Sequence, residues 1–485
     1  MMAVTALALG LCLLSAVAPP GYVHGAAPKF YDDDPLLREP ESQDASGAKP
    51  YKIELAASLL LDLFAKQGDT TPNVRAKNVN TIDEVPDSNW FVNRIYASPV
   101  SVEAITRGPN TMDGPAPGRW TLVAPKTSGA APGFRVRDSR GEIWFISLDA
   151  NGHPRAATGA IAVACRLFWA LGYYQIESYL ASFRPEDIDI DEKATIEPRP
   201  DYERRFNRDD LDAVLARAQR NEDGTYRVLA ARSAPGRVLG GYYFHGTRPD
   251  DPNDVVPHEH RRDLRALKVF GAWTNLVDIK ALNTLDTVVS EGGRSFVRHY
   301  LQDVGSTFGA GAMGPHGWEE GHEYLYEGDL VRKRLISFGF YLQPWQVAPY
   351  AEHPEIGRIE TNVFEPERWK TRVPNAAMRQ ARDDDTFWAA LRVAAFTDEM
   401  IRAAVREARY ADPEAGRMLA DVLILRRNKI AQTYLTKITP LTRFALDDAH
   451  TLTFENAAVR AGVAKPPANG YRAAWSRFDN ATQAA

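Results

Sequence analysis

The chain has 485 residues, 44% of them hydrophobic and 25% charged, with a formal net charge of −5. That balance fits a globular protein with a sizeable core, arranged as two or three domains or one large bilobal unit. No long basic block is present, which excludes the electrostatic footprint of a nucleic-acid binder, and no internal repeat is visible.

Taken in chain order, residues 1–26 read as a signal peptide. The run "AVTALALGLCLLSAVA" is apolar but shorter than the roughly 20 residues of a membrane span, and small residues near Gly25 and Ala26 offer a cleavage site. The expectation is an exported protein, periplasmic or secreted, with no transmembrane domain beyond this segment. Cleavage leaves Cys165 as the lone thiol, which excludes an internal disulfide framework and a cysteine-rich metal site. Cys165 lies inside an apolar helical pattern and reads as a small core residue.

Residues 27–115 read as an N-terminal extension wrapping the core. It holds a helical stretch, "KIELAASLLLDLFAKQG", stopped by Gly68, and a turn-rich stretch whose Trp90 and Phe91 are its expected anchors. Residues 116–247 form a β-rich lobe. "RWTLVAPK" is a strand, "TSGAAPG" a glycine loop, and "FRVRDSRGEIWFISLD" alternates as a hairpin about its "DSRG" turn. The helical "TGAIAVACRLFWALGY" follows, then the strands "ESYLASF" and "TYRVLAAR" with the helical "DDLDAVLARAQR" between them.

Residues 248–440 form a helical lobe. Leu264, Leu267, Phe270, Trp273 and Val277 recur at helical spacing in "RDLRALKVFGAWTNLVD", which runs into the loop "DIKALN", Asp278 to Asn283. A second hairpin, "TLDTVVS" and "SFVRHYLQD", ends at Asp303 of "DVG". Its two antiparallel strands return Asn283 and Asp303 to the same end. The chain turns helical from about residue 384, and Asp412 with Pro413 caps a long helix. Residues 441–485 read as a loose polar tail.

The order strand, glycine loop, strand, turn, strand, helix, followed by helix, D-x-K-x-x-N loop, hairpin and D-x-G, resembles the protein-kinase-like fold in one of its atypical bacterial forms. The chain also resembles a group of exported bacterial proteins that share segments like "WFVNRI" and "HYLQD" and carry no assigned activity. The fold expected is α+β and bilobal, with a β-rich N-lobe, a helical C-lobe and an N-terminal extension. The resemblance implies an ATP- and Mg²⁺-dependent phosphotransferase acting on an unknown protein or small-molecule acceptor. Asp278 would be the catalytic base, Lys280 would reach the transferred phosphate, and Asn283 and Asp303 would be the metal ligands.

The first lobe departs from that family. Ser147 stands where the strand lysine is expected, and the helix "TGAIAVACRLFWALGY" carries no acidic partner for one. Lys126, at the mouth of the glycine loop, is the best substitute, with Arg155 and Arg166 poorer ones. Gly129 and Gly133 would let backbone amides approach phosphate oxygens, or would simply make a tight hairpin. The alternative function is therefore a catalytically degenerate, pseudokinase-like binding or scaffold protein of the cell envelope. A hydrolase built on Asp250, Asp251, Asp254, His258, Glu259 and His260 is the least supported reading. Histidines two apart on a helix diverge by about 200° and cannot chelate one ion. His299 reads as a core histidine, and "WEEGHEY" as a source of polar groups near a substrate mouth.

Overall fold

The computed structural model describes residues 36–126, 129–199 and 201–477. The expected signal peptide lies outside them. Among the described residues no helix is long and apolar enough to cross a membrane.

The first half is sheet-rich and the C-terminal part helical, so the α+β reading holds at that level. The first helix, α1 (Leu55–Phe64), belongs to the extension. The strands β1 (Trp120–Pro125), β2 (Gly133–Arg137) and β3 (Ile143–Leu148) form an antiparallel meander, and α2 (Ala156–Leu171) follows. Next come β4 (Ser178–Phe183), the short β5 (Ile188–Ile190), α3 (Arg208–Leu215) and β6 (Tyr226–Arg232). The six-stranded sheet has the order β4-β6-β3-β2-β1-β5, with only β5 running parallel to its neighbour. Alternation explains its core: Trp144, Ile146 and Leu148 of β3 point inward with Leu122, Phe134, Val136 and Val228. α3 closes this side with Leu211 and Leu215, and Asn207 caps it in a capping box with Asp210.

Three further strands, β7 (Arg237–Gly240), β8 (Leu285–Glu291) and β9 (Arg294–Tyr300), make a second antiparallel sheet with β8 in the centre. Gly292 and Gly293 form the β8–β9 turn, both at positive φ. Before this hairpin lies α4 (Leu267–Thr274), shorter than the amphipathic run implied, because the chain breaks at Ala266 and ends at Asn275 in the left-handed region. Later come α5 (Gly328–Ile336), α6 (Asp383–Ala394), α7 (Asp398–Arg406) and α8 (Pro413–Tyr434). The Asp412 side chain accepts from Glu414 N at 2.8 Å with Pro413 at the first helical position, as the sequence implies.

The larger core gathers α2, α4, α6 and α8 with the extension. Val163, Leu167 and Phe168 of α2 pack with Phe270, Trp273, Trp388 and Leu423, so α2 is buried against the helical part rather than against its own sheet alone. Trp90 and Phe91 belong to this cluster. The Trp90 ring stacks on His299 at 3.4 Å between centroids, and Arg261 lies 4.7 Å over it. The tail differs from its expectation. Residues 441–446 and 452–456 pair as a hairpin, and Ala457 and Ala458 enter the core.

Candidate functional site

After Asn275 the chain runs extended, and its alternation sorts the loop. Val277, Ile279 and Ala281 are buried, while Asp278 and Lys280 sit half-buried on the other side. The Val277 carbonyl accepts from Arg372 N at 2.8 Å, which fixes the strand-like stretch from behind. A single 3₁₀ turn over Ala281–Asn283 then swings Asn283 back. Its Nδ2 donates to the Asp278 carbonyl at 2.7 Å and to Asp278 Oδ2 at 3.0 Å. Lys280 Nζ donates to both Asp278 oxygens at 2.9 and 2.8 Å. The Lys280 ammonium, which the resemblance assigns to a phosphate, rests on Asp278. Burial alone would raise the Asp278 pKa, but Lys280, Arg372 and the Asn283 amide outweigh it and hold the carboxyl below its usual range.

The β8–β9 hairpin delivers Asp303 to this loop. Asp303 N donates to the Asn283 carbonyl at 3.0 Å, so the two expected metal ligands share a backbone hydrogen bond. Asp303 is exposed, and its Oδ1 accepts from Gly305 N at 2.9 Å. Gly305 lies against α2: a Cβ there would stand 3.2 Å from Ile161 Cγ1. The α2 side chain beside the D-x-G turn is thus the apolar Ile161.

Lys126 follows β1 and lies along the glycine loop. A Cβ on Gly129 would stand 3.4 Å from its Cε, and one on Gly133 3.3 Å from its Cδ. Surrounding protein lowers the Lys126 pKa, Asp303 acts the other way by favouring the ammonium, and Arg217 adds to the lowering. The Asp303 carboxylate is therefore within electrostatic reach of Lys126. Ser147 pairs with Gly133 across β3 and β2 and supplies no charge. Gly133 has a packing reason of its own, since a Cβ there would fall 2.2 Å from the Ile146 carbonyl oxygen. Gly129 adopts φ +79°. The two substitute cations are committed elsewhere. Arg155 pairs with Glu355 at 3.2 Å, and buried Arg166 pairs with Glu407 at 3.1 Å and donates to the Ala162 carbonyl at 2.7 Å.

Three residues join the site that the sequence did not single out for it. Arg372 Nη1 lies 3.7 Å from Asp278 Oδ2, its Nε donates to Glu320 at 2.7 Å, and its Nη2 donates to His316 Nε2 at 3.0 Å. Burial, with Arg372 adding to it, lowers the His316 pKa to about 4. Burial raises Glu320, against the pull of Arg372. Glu320 lies in "WEEGHEY", whose polar character was the one available signal. Arg372 and His316 come from loops that no local pattern connects to Asp278.

The acidic and histidine cluster is structural. His258 Nε2 bonds Asp254 at 2.8 Å, while His260 bonds Asp69 at 2.9 Å and receives Arg265 at 2.8 Å on its other nitrogen. Glu259 accepts from Asp69 N and Gly246 N at 2.7 Å each. His299 bonds Asp286 at 2.7 Å inside β9, the core role expected of it. Cys165 is buried. Comparisons with protein-family models, with curated proteins and with solved structures return no match to this chain.

Proposed function

We propose that the chain is an exported, kinase-like phosphotransferase that uses ATP and Mg²⁺ on a hydroxyl-bearing acceptor. The observation carrying this reading is the convergence of Asp278, Asn283 and Asp303, joined by direct hydrogen bonds, with Lys126 within electrostatic reach of Asp303 from the neighbouring lobe. Asp278 is held ionised and suits the task of orienting an acceptor hydroxyl and taking its proton. Lys126 would contact the nucleotide phosphates in place of the strand lysine that Ser147 replaces.

The donor set fits a hard cation. Asn283 turns its Nδ2 into Asp278, and among the described residues nothing donates to its Oδ1 or to Asp303 Oδ2. Two oxygens with free lone pairs are what Mg²⁺ takes from a protein that leaves its other positions to phosphate and water. When bound, the ion would neutralise phosphate charge.

A second reading is a nucleotide- or partner-binding protein without turnover. Ile161 at the D-x-G turn and Ser147 on β3 favour it, because neither side chain supplies the charge of a strand-lysine and helix-acid pair.

The test is thermal melting of the full chain with and without ATP and Mg²⁺, on wild type and on Asp303→Ala. A ligand that binds the native state stabilises it by about 2.7 kcal/mol at a hundredfold excess over its Kd. A Mg²⁺-dependent shift that disappears in Asp303→Ala supports the nucleotide site. Absence of any shift at millimolar nucleotide overturns it. Turnover of radiolabelled ATP, abolished in Asp278→Asn with the shift retained, separates the first reading from the second.

A further inference from the structure

Residues that ordinarily build cores are turned outward on two elements that touch. α1 buries only Ser58, and Leu60, Leu61 and Phe64 are exposed. The Phe64 ring meets Tyr326 at 5.3 Å between centroids, which joins α1 to a second apolar stretch running through α5 into the turns that follow. There Leu335 and Ile336 are exposed, and Phe338 and Phe340 are 91% and 86% exposed. Single exposed apolar residues are ordinary; a run of them along two elements that meet at Phe64 and Tyr326 marks an interaction surface.

The shape and the charge of this face narrow its occupant. Phe338 sits at φ +50° and Gly339 at φ +85°, and Gly339 N donates to the Arg334 carbonyl at 2.8 Å. This tight turn holds the two rings at a protruding tip, not in a groove that would shape itself to a protein partner. Arg332 and Lys333 of α5, a few residues before the tip, and Lys66, two residues after Phe64, are exposed. The acids beside them are occupied: Glu323 takes Arg334 at 2.6 Å, Glu327 takes Lys370 at 2.7 Å and the exposed Asp329 takes Arg332 at 3.3 Å, which leaves Lys333 and Lys66 with no acidic partner among the described residues. Exposed aromatic and aliphatic side chains accompanied by lysines that no acid neutralises are the chemistry of an interfacial membrane anchor.

We propose that this face seats on an anionic lipid bilayer. The Phe338 and Phe340 rings enter the boundary between headgroups and acyl chains, and Arg332, Lys333 and Lys66 meet lipid phosphates. The proposal stands independently of the chemistry at Asp278. It places whatever reaction or binding occurs there beside a membrane.

The test is flotation of the full chain with vesicles of phosphatidylcholine alone and of phosphatidylcholine with phosphatidylglycerol. Wild type should float with the anionic vesicles, and Phe338→Ser with Phe340→Ser should lower the bound fraction about tenfold or more. Arg332→Glu with Lys333→Glu should weaken binding to anionic vesicles selectively. Melting of the serine variant should match wild type, because both rings already face solvent. Equal flotation of wild type and the serine variant would overturn the proposal, and so would no flotation at all. Equal flotation on neutral vesicles would overturn the anionic-lipid assignment. A wild-type dimer by light scattering that the serine variant dissolves would assign the face to a second copy of the chain, which also overturns it.

Discussion

Asp278 lies between two cations, Lys280 and Arg372, and these neighbours set what it can do. Hydrogen bonds from Lys280 and Asn283 and the nearby charge of Arg372 hold it as a carboxylate, and Arg372 ties it to His316, whose pKa burial lowers from 6.5 to about 4. Between those two values the unfolded chain binds a proton at His316 that the folded chain refuses. The stability from keeping it neutral is complete above about pH 6.5 and is lost as pH falls toward 4, on the order of 3 kcal/mol for a shift of this size. Asp278, with its depressed pKa, loses its own contribution only below that window. Urea unfolding of wild type and His316→Gln at pH 7 and pH 4.5 isolates the effect. Wild type should lose stability relative to the variant on acidification, and parallel losses would show that His316 is not held neutral.

At the scale of elements, the β1–β2–β3 meander is built around one close approach. Gly133 opens β2 opposite Ser147, where any Cβ would strike the Ile146 carbonyl oxygen. Gly141, in the β2–β3 turn at φ +83°, has open space around it. Gly133→Ala should therefore cost about 3 kcal/mol through overpacking, and Gly141→Ala about 1 kcal/mol through backbone strain alone. Thermal melting compares them, and equal losses would contradict the strand geometry. This separates two roles that the sequence leaves merged in the two glycines of "TSGAAPG". Gly133 serves the sheet, while Gly129 retains a left-handed conformation suited to presenting backbone amides.

For the molecule as a whole, the extension is part of the fold. Ala45 N donates to Ser295 O at 2.8 Å and Tyr51 N to Leu239 O at 3.0 Å, so the chain zips along the second sheet before Trp90 plugs in over His299. Trp90 shares the large core with α2, α4, α6 and α8. Trp90→Ala should cost about 3–5 kcal/mol and lower the midpoint of a single cooperative transition in denaturant. An early separate transition, with the remainder unfolding as in wild type, would instead mean that the extension docks on an independently stable core.

Local pattern was enough for the elements that depend on their own residues. The β-meander, the Asp412–Pro413 cap, the second hairpin and the turnback of Asn283 toward Asp303 were legible, because alternation, capping chemistry and two adjacent glycines act within a few residues of chain. Long-range facts were not. Arg372 reaches Asp278 from more than 90 positions away, and Lys280 chooses its own neighbour Asp278 over open space because a half-buried carboxylate must be compensated. α2 looked like a helix of the first lobe, yet its apolar face is covered by the helical part, since hydrophobic burial is indifferent to chain order. The sequence by itself determined which residues could carry a carboxylate-and-amide site. Only the tertiary structure decided which cations stand beside it, and which hydrophobic residues remain uncovered, because both depend on surfaces meeting across the whole chain.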